Sequence, residues 1–90
     1  MNMSPEAKKQ LKSKAALLNP VVMIGSKGLS AAVDNEIEQA LIAHELIKIR
    51  FLNNDRAWQK ETAAIICQSH QASLIQAIGH VIVIYRPQQE

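Results

Sequence analysis

Between the β-branched run Val21-Val22-Met23-Ile24 and Ser30 lie Gly25-Ser26-Lys27-Gly28, residues whose types suit the capture of an anion. A strand end, two glycines and a serine-capped helix start let backbone N–H groups face outward at the positive end of a helix, where anions are stabilised. Lys27 adds a mobile cation, and the glycines remove the Cβ atoms that would hold a phosphodiester backbone at a distance. Glycines three apart are also common in turns that bind nothing. What stands beside the loop decides.

Lys8, Lys9, Lys12 and Lys14 precede it on one predicted helix, and no acidic residue stands four positions from Lys8, Lys12 or Lys14 to pair with them. Unpaired cations favour an anionic partner over a self-neutralised solvent face. Lys48 and Arg50 share one side of a later strand, and Arg86 with His80 could extend that surface. Residues 1–29 carry net +4, residues 30–45 net −4 and residues 46–90 net +2, so the overall +2 conceals a two-sided surface. A Gly-x-x-Gly loop clamps RNA backbone in modules of the KH type. With one Phe, one Tyr and one Trp, stacking platforms are scarce, and Trp58 and Tyr85 read as packed residues of a helix and a strand. Phosphate and groove-shape contacts should therefore outweigh base readout, which suits structured RNA better than a single strand read base by base.

Catalytic constellations are weak. Cys67 and His70 are three apart on a helix, but Cys67 lies in an apolar run, no acid is expected to orient His70, and no glycine-rich oxyanion loop adjoins them. His44, His70 and His80 fall on separate elements without metal-ligand spacing. The glycine loop lacks the Gly-Lys-Ser/Thr ending of a nucleoside-triphosphate loop. The expectation is a protein without enzymatic activity, cofactor, metal site or small-molecule substrate.

The elements that must position these residues are legible from period and punctuation. Ser4-Pro5-Glu6 opens a helix over roughly residues 5–17 whose apolar stripe is Ala7, Leu11, Ala15 and Leu18, and Asn19-Pro20 stops it. Val21–Ile24, apolar throughout, reads as a central strand covered on both faces. Ser30 caps a second helix with Val33, Ile37, Ala40, Leu41 and His44 on one face, and Asp34, Glu36 and Glu38 largely away from it. Leu46–Leu52 alternates, with Ile47, Ile49 and Phe51 pointing opposite to Lys48 and Arg50. Asn53-Asn54-Asp55 starts a third helix to about Ser69, with Trp58, Thr62, Ile65 and Ile66 on one face. Leu74–Ile78, the turn Gly79-His80 and Val81–Arg86 form a hairpin. The predicted fold is α/β, a single domain over residues 1–90 in the order α-β-α-β-α-β-β, with a four-stranded mixed sheet packed by helices.

Ninety residues feed one core without needing metal or disulfide staples, and the single cysteine, Cys67, suits a reducing cytoplasm. The charged opening MNMSPEAKKQLKSK is not a signal peptide, and runs such as Val21–Ile24 fall far short of the about 20 residues that cross a bilayer. No membrane association is expected.

The segments Pro20-Val-Val-Met-Ile-Gly-Ser-Lys-Gly-Leu29, Glu38-Gln-Ala-Leu41, His44-Glu-Leu-Ile-Lys-Ile-Arg50 and Ile84-Tyr-Arg-Pro87 resemble, in order and over nearly the whole chain, the bacterial YhbY family of stand-alone CRM domains (chloroplast RNA splicing and ribosome maturation). That resemblance implies a fold similar to the C-terminal domain of translation initiation factor three. It also implies an assembly factor without enzymatic activity that binds ribosomal RNA in large-subunit precursors; a monomer is expected. The family's loop falls on Gly25, Ser26, Lys27 and Gly28, its basic helix on Lys8, Lys9, Lys12 and Lys14, and its basic strand positions on Lys48 and Arg50. Two departures stand out: His80 follows Gly79 where a lysine is common, and Gln88-Gln89-Glu90 replaces a basic tail. The alternative is a protein-interaction module whose basic face docks an acidic partner. A Cys67-dependent enzyme is a third and weaker reading.

Overall fold

Ser4 starts the first helix by the device its sequence suggests. Its Oγ accepts the Ala7 N–H at 3.1 Å, Pro5 takes the first helical position, and α1 spans Pro5–Ala15. The computed structural model describes residues 3–88; Met1, Asn2, Gln89 and Glu90, and with them the ends of the predicted domain and most of the Gln88-Gln89-Glu90 tail, lie outside the described residues. The helix ends two residues before the predicted limit. Leu17 and Leu18 donate to the Lys14 and Ala15 carbonyls in a tight turn, and the chain descends until the Val21 N–H reaches the Lys48 carbonyl at 3.1 Å.

There follow β1 (Val22–Ile24), α2 (Ala31–His44), β2 (Leu46–Phe51), α3 (Arg56–His70), β3 (Ser73–Ile78) and β4 (Val81–Tyr85), the order expected. Ser30 and Asp55 cap α2 and α3, accepting the Val33 and Trp58 N–H groups at 3.1 and 3.0 Å. The sheet runs β1-β2-β4-β3, with β1 parallel to β2 and the other pairs antiparallel. A parallel pair needs a crossover, which α2 supplies; an antiparallel pair needs only the Gly79-His80 turn.

One face of the sheet carries the main core. Val22, Ile24, Ile47, Ile49, Phe51, Ile82 and Ile84 meet Ile37 and Leu41 of α2 and Ala63 and Ile66 of α3. On the other face α1 lies over β2 and β3, setting Ala15 and Leu11 against Leu46, Ile75 and Val83. Ile75 reaches that layer because a register shift between Leu74 and Gln76 inserts it as an extra residue, a bulge invisible in the hydrophobic pattern.

Three face assignments change. β1 is an edge strand rather than a central one: Val22 and Ile24 are buried while Val21 and Met23 are about half exposed, because α1 packs on β2 and β3 and leaves this side of β1 open. On α3 the buried positions are Gln59, Thr62, Ala63, Ile66 and His70, and Ile65 is half exposed. On α2, His44 is exposed, whereas Glu38 and Asp34 turn toward His70. Polar residues replace apolar ones at the α2–α3 seam because they satisfy one another there, which spacing alone does not reveal.

Candidate nucleic-acid interface

The loop after β1 is a hydrogen-bonded turn in which the Gly28 N–H donates to the Gly25 carbonyl at 3.0 Å. Ser26 and Lys27 are exposed at its tip. The two glycines play different parts. Gly28 has φ +70°, and a Cβ there would come within 3.0 Å of Trp58 Cζ2, so the turn and the packed indole both require glycine. Trp58 itself meets Phe51 edge to face, ring centroids 5.8 Å apart, the packed role expected of it. Gly25 has no such constraint: a Cβ there would meet only Leu52 Cδ1, at an ordinary 4.0 Å. Its bare backbone is therefore free to serve a ligand. Leu52, read as the end of a strand, lies beyond β2, exposed beside the loop.

The helix wheel divides the lysines of α1. With Ala15 and Leu11 facing the sheet, Lys8 and Lys12 lie on one flank, Lys9 points outward, and Lys14 takes the other flank. Lys12 lines a groove with Ala16, Lys48, Gln76, Ile78 and Val81. Lys14 lines a different groove, with His44, Glu45 and Tyr85. Lys48 donates to the Leu18 carbonyl at 3.0 Å, which ties its ammonium to the turn after α1 and leaves two N–H donors for other partners. Arg50 is exposed on the same sheet face, opposite Met23 and Val81 in the ladder. Among the described residues, no ion pair involves Lys8, Lys9, Lys12, Lys14, Lys27, Lys48 or Arg50. The structure thus brings Lys8, Lys12, Lys48 and Arg50 to one open side, with the glycine loop at the Ile24–Phe51 end of the sheet. Lys14 is set apart.

Arg86 is set further apart. It follows β4 at the Leu46–Tyr85 end of the sheet, opposite to the loop, and grips Glu38 with both Nη atoms at 2.9 Å. Nη1 also donates to the His70 carbonyl at 3.1 Å. The anion that Arg86 holds belongs to its own chain, so its place among the nucleic-acid contacts gives way to a structural one. Arg86 and His70 hold the Glu38 carboxyl down at about 2. His70, 6% exposed, faces Glu38 Oε1 through Nδ1 and Asp34 Oδ1 through Nε2, both at 2.8 Å. Two acids therefore orient His70, where none was expected, and both ring nitrogens are occupied. Burial pushes the Cys67 thiol up, so Cys67 and His70 do not form a nucleophile–base pair. His80 receives Gln59 Nε2 at 3.1 Å and is half-buried under α3.

The acidic segment sits across the sheet from these cations. Asp34 and Glu38 are bound to His70 and Arg86, and Glu45 accepts the Gln88 N–H. What the sequence did not indicate is the apolar lining between the lysines, Ala16, Ile78 and Val81, because strand alternation does not say where α1 stops covering the sheet. No helix among the described residues is long and apolar enough to cross a membrane.

The family model of the CRS1/YhbY (CRM) domain matches residues 3–86. An RNA-binding protein of Haemophilus influenzae is 43% identical over 88 residues, which are 98% of this chain and 89% of that protein. YqeI of Bacillus subtilis, named a probable RNA-binding protein, is 34% identical over 92% of this chain and 86% of its own length. The solution structure of SAV1595 from Staphylococcus aureus superposes with a TM-score of 0.84 at 32% identity, covering 99% of this chain and 93% of that one.

Proposed function

The chain belongs to the CRS1/YhbY (CRM) domain family, and from that premise we propose that it binds RNA through the open side of α1, Lys48, Arg50 and the Gly25–Gly28 loop. The observation that carries this reading is that Lys8, Lys12, Lys48 and Arg50, none of them in an ion pair among the described residues, share one open side, with the acidic residues of α2 on the far face of the sheet. A polyanion gains from such a surface by releasing its own counterions. The relatives named RNA-binding proteins support the same ligand.

The finer reading is that the RNA is ribosomal, within precursors of the large subunit, and that the protein acts in the cytoplasm as a monomeric assembly factor without catalysis. The resemblance to stand-alone YhbY proteins supports it. Crosslinking in cells followed by mapping of the bound RNA tests the target: reads concentrated in large-subunit ribosomal RNA are expected, and reads spread over messenger RNA would refute it.

RNA binding itself is tested by salt. If about five cations displace counterions from a single strand, the log–log slope is about −3.5 and affinity falls about 100-fold between 50 and 200 mM salt. Absent or salt-independent binding would instead favour an acidic protein partner for the basic face.

A further inference from the structure

Four side chains stand in a row across the sheet, one from each strand: Met23, Arg50, Val81 and Ile78. The ladder sets Met23 opposite Arg50, Arg50 opposite Val81, and Val81 opposite Ile78. Such partners project to the same side, here the α1 side, because their neighbours Val22, Ile24, Ile49 and Ile82 are buried against α2 and α3. At about 4.8 Å per strand the row is about 14 Å long. α1 stops short of covering it: Met23 is 54% exposed and Ile78 64%. Leu52 continues the apolar surface to Gly25.

The charges in the groove between this row and α1 are of one sign. Among the described residues, its charged lining residues are Lys12 and Lys48, and Arg50 stands within the row itself. Its occupant must therefore be anionic and also offer flat apolar faces. A fully paired RNA helix meets only the first demand, since it shows phosphates and hydroxyls and hides its base faces in the stack. Unpaired nucleotides meet both, and an arginine guanidinium plane is a known surface for an unstacked base.

Resting on the RNA-binding reading above, we propose that the row Met23–Arg50–Val81–Ile78 is a platform for unpaired bases of the bound RNA, Arg50 stacking on a base while Lys12 and Lys48 hold the adjoining phosphates. Aliphatic side chains and one guanidinium take the place of the aromatic platform that the composition lacks. The platform extends the expected phosphate grip to the base faces, without the hydrogen-bond readout that would make it strongly sequence-selective.

The test compares two RNAs with equal numbers of phosphates, a hairpin with an unpaired loop and a fully paired duplex. They are titrated against the wild type, Met23→Ser, Ile78→Ser and Arg50→Lys. All three side chains are exposed, and melting temperatures serve as the folding control. The wild type should prefer the hairpin, and each variant should lose about tenfold on it and little on the duplex. Arg50→Lys keeps the charge and loses the plane, so its loss should come with an unchanged salt slope. Equal wild-type affinity for the two RNAs, or variants that bind the hairpin as the wild type does, overturns the platform while leaving RNA binding intact. Variants that keep RNA but lose an acidic protein partner overturn it in favour of that partner. A wild type that binds neither RNA removes the premise as well.

Discussion

Gly25 and Gly28 look equivalent in the sequence and are not equivalent in the fold. Gly28→Ala places a Cβ at φ +70° against Trp58 and should lower stability by about 1–2 kcal/mol, seen as a drop in melting temperature whether or not RNA is present. Gly25→Ala meets only Leu52 and should melt like the wild type while binding RNA several-fold more weakly; unchanged binding would make this glycine part of the turn alone. Lys27 and Ser26 sit where the spacing put them, whereas Arg86 does not, because its partners Glu38 and His70 lie 48 and 16 positions away in the chain. That pairing has its own consequence. Glu38 has a folded pKa of about 2 against an ordinary 4.5, so it stabilises the fold above about 4.5 and the contribution fades as pH falls from there toward 2. Glu38→Gln should cost about 1–2 kcal/mol at neutral pH, discounted for its partial exposure, and should flatten this acid limb in denaturant titrations at graded pH. Arg86→Gln should lower stability without changing the salt slope of RNA binding, the outcome opposite to that of a phosphate contact.

At the scale of elements, the orientation of α1 governs which lysines can act together. Its start and cap were legible from Ser4-Pro5, yet the Ala7–Leu11–Ala15 stripe does not tell which strands it covers. The division of Lys8 and Lys12 from Lys14 follows only once Ala15 is set against Leu46, Ile75 and Val83. Lys12→Gln should therefore reduce the salt slope by about 0.7, and Lys14→Gln should leave it nearly unchanged. Equal effects would mean that RNA wraps both flanks of the helix. The edge position of β1 was hidden for a related reason: Val21 and Met23 are as apolar as core residues, but their side of the sheet lies beyond the reach of α1. An apolar residue says that burial is favourable, not that the chain itself provides the cover.

For the whole molecule, element order, mixed sheet and charge segregation were all readable, since period, capping and turn residues agree with one another along the chain. The α2–α3 seam was not, because a histidine between two carboxylates depends on contacts 32 and 36 positions apart. These long-range pairs, with the Arg86–Glu38 ion pair, hold two of the α2 acids within the fold, on the face of the sheet away from Lys12, Lys48 and Arg50. RNA binding by the α1 side of the sheet depends on that asymmetry. Its most direct test is a heteronuclear NMR titration of the full chain with a hairpin RNA at low salt. Shift changes should map to Lys8, Lys12, Met23, Gly25–Gly28, Lys48, Arg50 and the Ile78–Val81 turn, with the solvent faces of α2 and α3 and the Arg86 cluster silent. Changes centred on α2, α3 or Arg86 would contradict it.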